Sequence, residues 1–200
     1  MRRTKSEANE TIQLLLKVAR THFTEKGYAN AALEEIADEA NVTRGALYHH
    51  FKNKQGLFLA VLELVQTEIG QRVEAEADSS VDPWEQLLYG CRAFIATVVE
   101  PQNKRIMLID GPSVVGWESW REMDEQNSMS HLREQLAFMQ NQGMMKAVPV
   151  DAMTHALSGA LNECSLWVAQ MPETEKGIVE TMDVITGMLQ GFRVSGSLDN

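Results

Sequence analysis

Apolar residues recur along this 200-residue chain at spacings of three and four, the pattern of amphipathic helices. No segment alternates between apolar and polar residues over a useful length, and clusters of Val, Ile and Thr are few. The pattern therefore predicts an all-α protein, in which each helix turns one apolar face towards a core.

Four helices are predicted in the first third of the chain, over residues 7–26, 32–40, 44–51 and 54–77. Gly27 is expected to end the first helix with a positive φ, and Tyr28 then packs back on the core. Asn41 tolerates the left-handed conformation and is expected to form the turn after the second helix. Thr43 and Asn53 are suited to cap the third and fourth helices.

The rest of the chain is also predicted to be helical, with breaks at turn-forming residues. The expected ranges are about 83–99, 104–109, 117–124, 128–141, 150–170 and 173–192. Breaks are predicted at residues 77–83, at Pro101, at residues 111–113 and between Gly143 and Pro149. The tail after Gly196 is expected to be disordered.

Charge is distributed unevenly along the chain. The net charge is −10, yet residues 1–54 hold nine Lys and Arg against seven Asp and Glu, a balance of +2. Residues 55–200 hold nine against twenty-one, a balance of −12. A local positive surface is enough for phosphate contact, so the acidic total does not exclude a nucleic-acid partner.

The composition indicates the cellular compartment in which the chain is expected to work. The two cysteines, Cys91 and Cys164, lie far apart without a CxxC spacing, which fits a reducing cytoplasm. The basic N-terminus has no apolar segment after it, so no signal peptide is expected. Apolar runs are too short to span a bilayer, and no membrane partner is expected.

The segment from Leu33 to Lys54 has the pattern of two short helices joined by a tight turn. From Asn41 to Lys54 it carries three cations and no acid. This arrangement predicts a helix-turn-helix that presents its second helix to the major groove of double-stranded DNA. The residues expected to meet DNA are Thr43, Arg44, Gly45, Ala46, Tyr48, His49, Lys52 and Lys54.

Each of these residue types has a physical role at a DNA surface. Backbone amides behind the Thr43 cap can receive a phosphate oxygen, and the small Gly45 and Ala46 allow close approach to the groove floor. The hydroxyl of Tyr48 can bind phosphate, His49 can donate to a base or a phosphate, and the two lysines add backbone charge. The alternative from spacing alone is a helical hairpin with a polar outer face and no DNA partner.

The same segment resembles the DNA-binding domain of the TetR family of bacterial transcriptional regulators. The resemblance is carried by Phe23, Gly27 and Tyr28, and then by the run from Ile36 to Lys54, within roughly residues 5–60. The residues before Thr11 also resemble the start of AcrR-type efflux repressors. The resemblance implies a three-helix DNA-binding domain over residues 1–54 and a helical ligand-binding and dimerisation domain over residues 55–200.

Three positions depart from the family pattern. Ala31 replaces a Thr that caps the second helix and touches phosphate, and Asn30 is a candidate to supply that cap instead. Asn41 replaces the turn Gly, and Ile12 replaces an Arg near the start of the first helix. These changes suggest altered anchoring to the DNA backbone rather than a lost function.

The resemblance also implies that the last two long helices form a four-helix bundle with a second copy. His155, Gly159 and Trp167 belong to one side of the penultimate helix, and Ile178 and Ile185 to an apolar face of the last. The alternative is that both faces bury only against their own subunit. An operator with two half-sites requires two DNA-binding domains, which favours a homodimer.

A small, apolar or aromatic effector is expected inside the C-terminal helices, because aromatic and Met side chains suit an adaptable cavity. The alternative for each candidate is an ordinary place in the core. The candidates are Phe94, Met107, Trp117, Trp120, Met123, His131, Leu132, Phe138, Met139, Asn162 and Trp167.

The functional prediction is a ligand-released repressor that binds a palindromic operator as a dimer, with no cofactor and no metal. An enzyme is disfavoured because no GxSxG, HExxH, Walker or GxGxxG motif is present, and the adjacent His49 and His50 cannot share one helical face. A regulator that senses oxidation through Cys91 or Cys164 is the alternative, although both lie in apolar helical contexts. An activator using the same DNA-binding domain also stays open.

Overall fold

Helices make up nearly all the secondary structure of this computed structural model, which describes residues 5–194, with side chains from Asn9 onward. The α-helices are α1 (Lys5–Asn30), α2 (Leu33–Glu39), α3 (Arg44–Phe51), α4 (Lys54–Ala77), α5 (Pro83–Val98), α6 (Pro101–Lys104), α7 (Gly111–Val115), α8 (Trp117–Glu125), α9 (Ser128–Asn141), α10 (Val150–Val168) and α11 (Thr174–Gln190), and a π-helical segment, Arg105–Asp110, joins α6 to α7. No strand occurs within residues 5–194, where a single antiparallel bridge pairs Met145 with Arg193. The all-α prediction is confirmed, and the predicted tail after Gly196 lies outside the described residues.

The chain forms two compact units. The first holds the described residues up to Gln66 together with Glu100–Met123, and the second holds Thr67–Val99 and the described residues from Asp124 onward. Helix α4 is continuous through the change of unit at Gln66. The functional boundary predicted between residues 54 and 55 stays a prediction.

An aromatic cluster forms the core of the first unit. The ring of Phe58 on α4 lies 5.1 Å from Phe23 and 5.2 Å from Tyr28, both edge-on. Tyr28 can turn back on this core because Gly27 takes a φ of 74°, which interrupts the helical geometry of α1. The predicted break at Gly27 and the packing of Tyr28 are therefore confirmed.

The break predicted at residues 111–113 is wrong. Gly111 is helical and buried, and a Cβ there would lie 2.9 Å from the Trp120 ring. Trp120 itself donates its indole N–H to the carbonyl of Met107 at 3.0 Å. Gly111 thus permits close packing against Trp120 rather than a turn, Pro112 lies in the first turn of α7 where its missing N–H is tolerated, and the real break is at Gly116, with a φ of 86°.

The second unit is built around α5. The Asp82 carboxylate accepts hydrogen bonds from the backbone of Trp84 and Glu85 at 2.8 and 3.1 Å, which fixes the start of the helix. Its apolar face is buried by α9, α10 and α11, and α10 also packs against α9 and α11. Gln135 on α9 donates to the carbonyl of Pro83 at 2.8 Å, so α9 is held at the N-terminus of α5.

Candidate nucleic-acid interface and effector cavity

The turn between α2 and α3 has the geometry of a helix-turn-helix. Asn41 takes a φ of 53°, and the chain then enters α3 through Thr43, whose hydroxyl accepts a hydrogen bond from the Ala46 N–H at 3.2 Å. Leu47 and Phe51 are buried against the rest of the first unit. The turn, the cap and the bounds of α3 agree with the expectations from the sequence.

The opposite face of α3 is exposed. Tyr48 keeps 45% of its surface accessible, and Arg44, Gly45 and His49 are exposed beside it. Ala46 is half-buried. Arg44, Gly45, Tyr48 and His49 are therefore accessible, although the contact of each predicted residue with DNA stays a prediction.

An ion pair holds Arg44 in the unbound protein. Its guanidinium contacts the carboxylate of Glu34 on α2 at 2.5 Å, with both side chains largely in solvent. An exposed pair of this kind contributes little stability, so a phosphate can compete for Arg44 at small cost.

A second charged cluster links α1 to α2. His22 is buried and its Nε2 lies 2.8 Å from the Glu39 carboxylate. Lys26 contacts Glu35 at 2.5 Å, and this hydrogen bond lowers the pKa of the Glu35 carboxyl below its ordinary value. These acids on α2 are therefore tied to α1.

The two lysines after α3 occupy different positions. Lys52 is exposed and ends the helix in a γ-turn, with a φ of 64°, a ψ of −51° and a hydrogen bond of 2.7 Å from the Asn53 N–H to the Phe51 carbonyl. Lys54 donates to the carbonyl of Ala29 at 3.0 Å and lies 4.8 Å above the Tyr28 ring, and burial lowers the pKa of its amine. Lys54 thus also fastens α4 to the end of α1.

The start of α2 differs from the expectation. Its N-cap residue is Ala32, which offers no side-chain cap, and the Asn30 amide instead donates to the carbonyl of Lys26 at 3.2 Å. The proposal that Asn30 replaces the family's capping Thr is therefore wrong. Asn30 lies two residues before the N-cap position, because the chain continues helically through residues 28–30 before it extends at Ala32.

A cavity of about 320 Å³ opens in the second unit between parts of α4, α5, α9 and α10, and Asp124 near the end of α8 also lines it. Of the residues expected to hold an effector, Phe94, His131, Leu132 and Phe138 line it. Phe94 is buried, whereas Phe138 is about half exposed and therefore lies towards the opening.

The other candidate ligand residues lie away from this lining. Met107 and Trp120 are buried in the first unit, Met123 is half-buried there, and Trp117 is largely exposed while stacking on Trp120 at 5.2 Å. In the second unit, Met139 and Asn162 are buried outside the lining, and Trp167 is exposed on α10. Their role in ligand binding stays a prediction.

Several polar residues of the cavity wall are not among those predicted from the sequence. Asp124, Ser128 and Ser158 are buried and contribute to the wall, and the exposed Glu74 and Asp78 contribute from the end of α4. The helical period places Ser158 on the same side of α10 as Leu161, which was a usable signal. The acids were missed because only the three-dimensional packing brings the end of α4 against α5.

The thiols are poorly suited to redox sensing. Cys91 lines the cavity but is buried, and burial raises the pKa of its thiol to about 12. Burial and the nearby Glu163 also raise the pKa of Cys164. Because the thiolate is the reactive form, the raised pKa lowers the reactivity of both thiols near neutral pH.

A metal centre and a membrane-spanning helix are both absent from the part of the chain that the structure describes. No group of three or more His, Cys, Asp or Glu side chains there has an arrangement that suits a metal ion. The described helices include none whose length and apolar character would allow it to cross a membrane.

The chain matches two sequence models, one for each part of a single family. Residues 15–61 match the model of bacterial regulatory proteins of the tetR family, and residues 84–192 match the tetracycline-repressor-like C-terminal domain. The two matches together include α3 and most of the second unit.

Curated relatives and a solved structure agree with these models. The chain is 38% identical to the HTH-type transcriptional regulator AcrR of Shigella flexneri over 108 residues, 54% of this chain and 50% of AcrR. It is 36% identical to the HTH-type transcriptional regulator TtgR of Pseudomonas putida over 113 residues, 53% of this chain and 51% of TtgR. The chain thus spans about half the length of these curated relatives.

A solved TetR-family transcriptional regulator from Pectobacterium atrosepticum resembles the whole chain. The two share 31% identity and a TM-score of 0.78, with 96% of this chain and 99% of that chain covered. The fold, the Thr43-capped helix α3 and the matches to both sequence models lead to one conclusion: this chain belongs to the TetR family of bacterial regulatory proteins.

Proposed function

We propose that this protein is a transcriptional repressor that binds a palindromic DNA operator as a homodimer and leaves it when a small effector binds. The observation that carries the proposal is the accessible polar face of α3 behind the Thr43 cap. A helix held in this way by a preceding helix and a tight turn fits the major groove. Its DNA partner lies in the cytoplasm, where we expect the protein to work.

The proposed contacts follow from the chemistry of this face. The N-terminal amides of α3 and the Tyr48 hydroxyl bind phosphate, while Arg44 and His49 reach base edges or phosphate. Gly45 allows the backbone to approach the groove floor closely. Lys52 adds a mobile positive charge beside the DNA backbone.

Dimerisation is proposed through α10 and α11. Their outer surfaces expose Trp167, Val179, Val184 and Met188, each with 47–62% of its surface accessible. Gly159 is exposed on the same helix as Trp167, and no neighbouring atom lies within 4 Å of a Cβ built there. A flat apolar surface with small residues suits a self-complementary contact between helices.

Release is proposed to act through α4. This helix begins next to α3, and its last turns contribute Val73 and Ala77 to the cavity wall. An effector with an apolar or aromatic part that fills the cavity best when α4 is displaced would stabilise the released state. Only such a difference in affinity between the two states can drive release.

Salt titration of binding to any double-stranded DNA tests whether DNA contacts the accessible polar face of α3, here called the docking face. It requires no knowledge of the operator. Tyr48→Ala combined with Lys52→Ala should weaken binding and make the salt dependence shallower, because phosphate contacts release bound counterions. Lys146→Ala, which replaces an exposed lysine of the second unit outside α10 and α11, should leave both quantities unchanged. Equal affinity and slope for all three proteins would refute the docking face.

A further inference from the structure

The ionisable side chains that line the effector cavity are predominantly carboxylic acids. Its lining includes four carboxylates, Glu74, Asp78, Asp124 and Glu134, and neither Lys nor Arg. His131 is the single imidazole among these lining residues, all of which belong to the described second unit. A carboxylate field inside a cleft with low-dielectric walls attracts cations and repels anions.

The four carboxylates differ in burial: one is deep in the cavity and three are near its opening. Asp124 is 1% exposed, and the hydroxyl of the buried Ser158 donates towards its Oδ2 at 3.5 Å. Glu74, Asp78 and Glu134 are exposed and therefore lie towards solvent. An entering molecule thus meets a negative rim before it reaches the buried acid.

Most of the remaining wall is apolar. Leu87, Phe94, Met129 and Leu161 are buried there and provide carbon surface for a ring or a short chain. Aromatic faces such as that of Phe94 also attract a cation that lies over them. The volume of about 320 Å³ falls at the low end of the roughly 300–1,000 Å³ typical of small-molecule sites, which favours a compact ligand.

We propose that the effector is a compact lipophilic amine, whose protonated nitrogen is held by the carboxylates of this cavity and whose hydrocarbon part packs against Phe94 and its apolar neighbours. This inference rests on the proposed function, because it names the chemical class of the effector for that site. A neutral molecule of the same shape forgoes the charge-assisted hydrogen bonds, and an anion is repelled by the rim.

Three probes that share one ring and differ in charge test the proposal on the intact protein. Isothermal titration calorimetry would compare naphthylethylamine, naphthylethanol and naphthylacetate, which carry a positive, a neutral and a negative group at neutral pH. We expect the amine to bind at least about tenfold more tightly than the alcohol, and the acetate more weakly still. Absence of amine binding, or equal affinity for the alcohol or the acetate, would overturn the proposal.

Substitutions of the lining carboxylates test whether the amine binds in this cavity. Asp124→Asn should reduce amine affinity by about tenfold or more and leave alcohol affinity nearly unchanged. The exposed pair Glu74→Gln and Asp78→Asn should reduce amine affinity about two- to fivefold, and it remains informative if the buried substitution prevents folding. Glu76→Gln removes a carboxylate of the same helix outside the lining and should bind the amine normally.

If Glu76→Gln weakens amine binding as much as the rim pair, the attraction is non-specific and the proposal fails. The calorimetry contains no DNA, so its outcome is independent of the docking face on α3. A cavity without amine preference would leave the DNA titration intact, and a protein that fails to bind DNA could still show the amine preference.

Discussion

Arg44 has two competing partners at the proposed DNA surface. In the unbound protein its guanidinium contacts Glu34, at the point where a phosphate or a base edge is expected in the complex. Binding must therefore break an exposed ion pair, which costs roughly 0.2–1 kcal/mol. We therefore expect Glu34 to lower the affinity for DNA of any sequence.

Glu34→Gln should strengthen binding to non-specific duplex DNA, because Arg44 is then free before it meets phosphate. The expected gain is up to about fivefold, measured by fluorescence anisotropy at constant salt. Asp38→Asn removes a neighbouring exposed acid of α2 and serves as the matched control. If both variants gain equally, the effect is general charge and Arg44 is not restrained by Glu34.

Gly27 is required for two separate reasons. Its φ of 74° lies where other residues are strained, and a Cβ would lie 2.8 Å from the guanidinium of Arg105. Asp110 accepts a hydrogen bond from the next backbone N–H, that of Tyr28, at 2.9 Å, whereas the Arg105 guanidinium is the end of a flexible side chain and can move at small cost. The backbone conformation is therefore the main reason for glycine here, and the Arg105 contact is the smaller one.

Gly27→Ala should lower the free energy of unfolding by about 1–3 kcal/mol, measured by urea denaturation followed by circular dichroism. Gly116→Ala is a matched control, since it shares a positive φ but has nothing within 4 Å of the new Cβ. The difference between the two variants should disappear when Arg105→Ala is added to both. Equal destabilisation without that third substitution would show that the Arg105 contact is unimportant.

At the scale of elements, local signals were sufficient where capping and turn residues decide a boundary. The bounds of α3, the start of α4 and the left-handed Asn41 follow from interactions within a few residues, such as the Asn53 side chain accepting from the Gly56 N–H at 2.8 Å. The segment from Pro101 to Val115 was harder to predict. Gly111 and Pro112 resemble a turn locally, but close packing against Trp120 makes the segment helical.

Thr43→Ala should destabilise the N-terminus of α3 and weaken DNA binding together. Loss of the hydroxyl that accepts from the Ala46 N–H should lower the free energy of unfolding by about 1 kcal/mol. Thr43→Ser keeps an acceptor at the same place and should retain most of the stability and affinity. Urea denaturation distinguishes the outcomes, because the Ala46 N–H also donates to the Thr43 carbonyl at 3.0 Å and keeps that bond in the alanine variant. An unchanged free energy of unfolding in the alanine variant would contradict the capping role.

At the scale of the whole molecule, the two candidate sites differ in how far the sequence predicts them. The DNA-binding face lies within one short segment, so residue spacing and the TetR resemblance were enough to propose it. The cavity combines residues from α4, α5, α9 and α10, which are remote in sequence. Its aromatic members, Phe94 and Phe138, were proposed from residue type, whereas the Asp124 and Glu74 carboxylates depend on packing that no local pattern reports.

Replacing apolar residues of the outer α10 and α11 surface should separate the proposed dimer. Val184→Glu with Met188→Glu places charge within a contact that must exclude water, so analytical ultracentrifugation should show monomers and DNA affinity should fall. Val81→Glu, at a residue that is 98% exposed between α4 and α5, should stay dimeric. A dimer that survives the double substitution would place the interface elsewhere.

Selection of binding sites from a random pool of double-stranded DNA tests the central claim most directly, because it asks whether two copies of α3 read sequence together. We expect the enriched sites to form an inverted repeat, with half-sites separated by about one helical turn of roughly 34 Å or a multiple of it. Tyr48→Ala with His49→Ala should abolish the enrichment while the fold is retained. Enrichment of a single half-site, no enrichment, or enrichment that survives the substitutions would contradict the account.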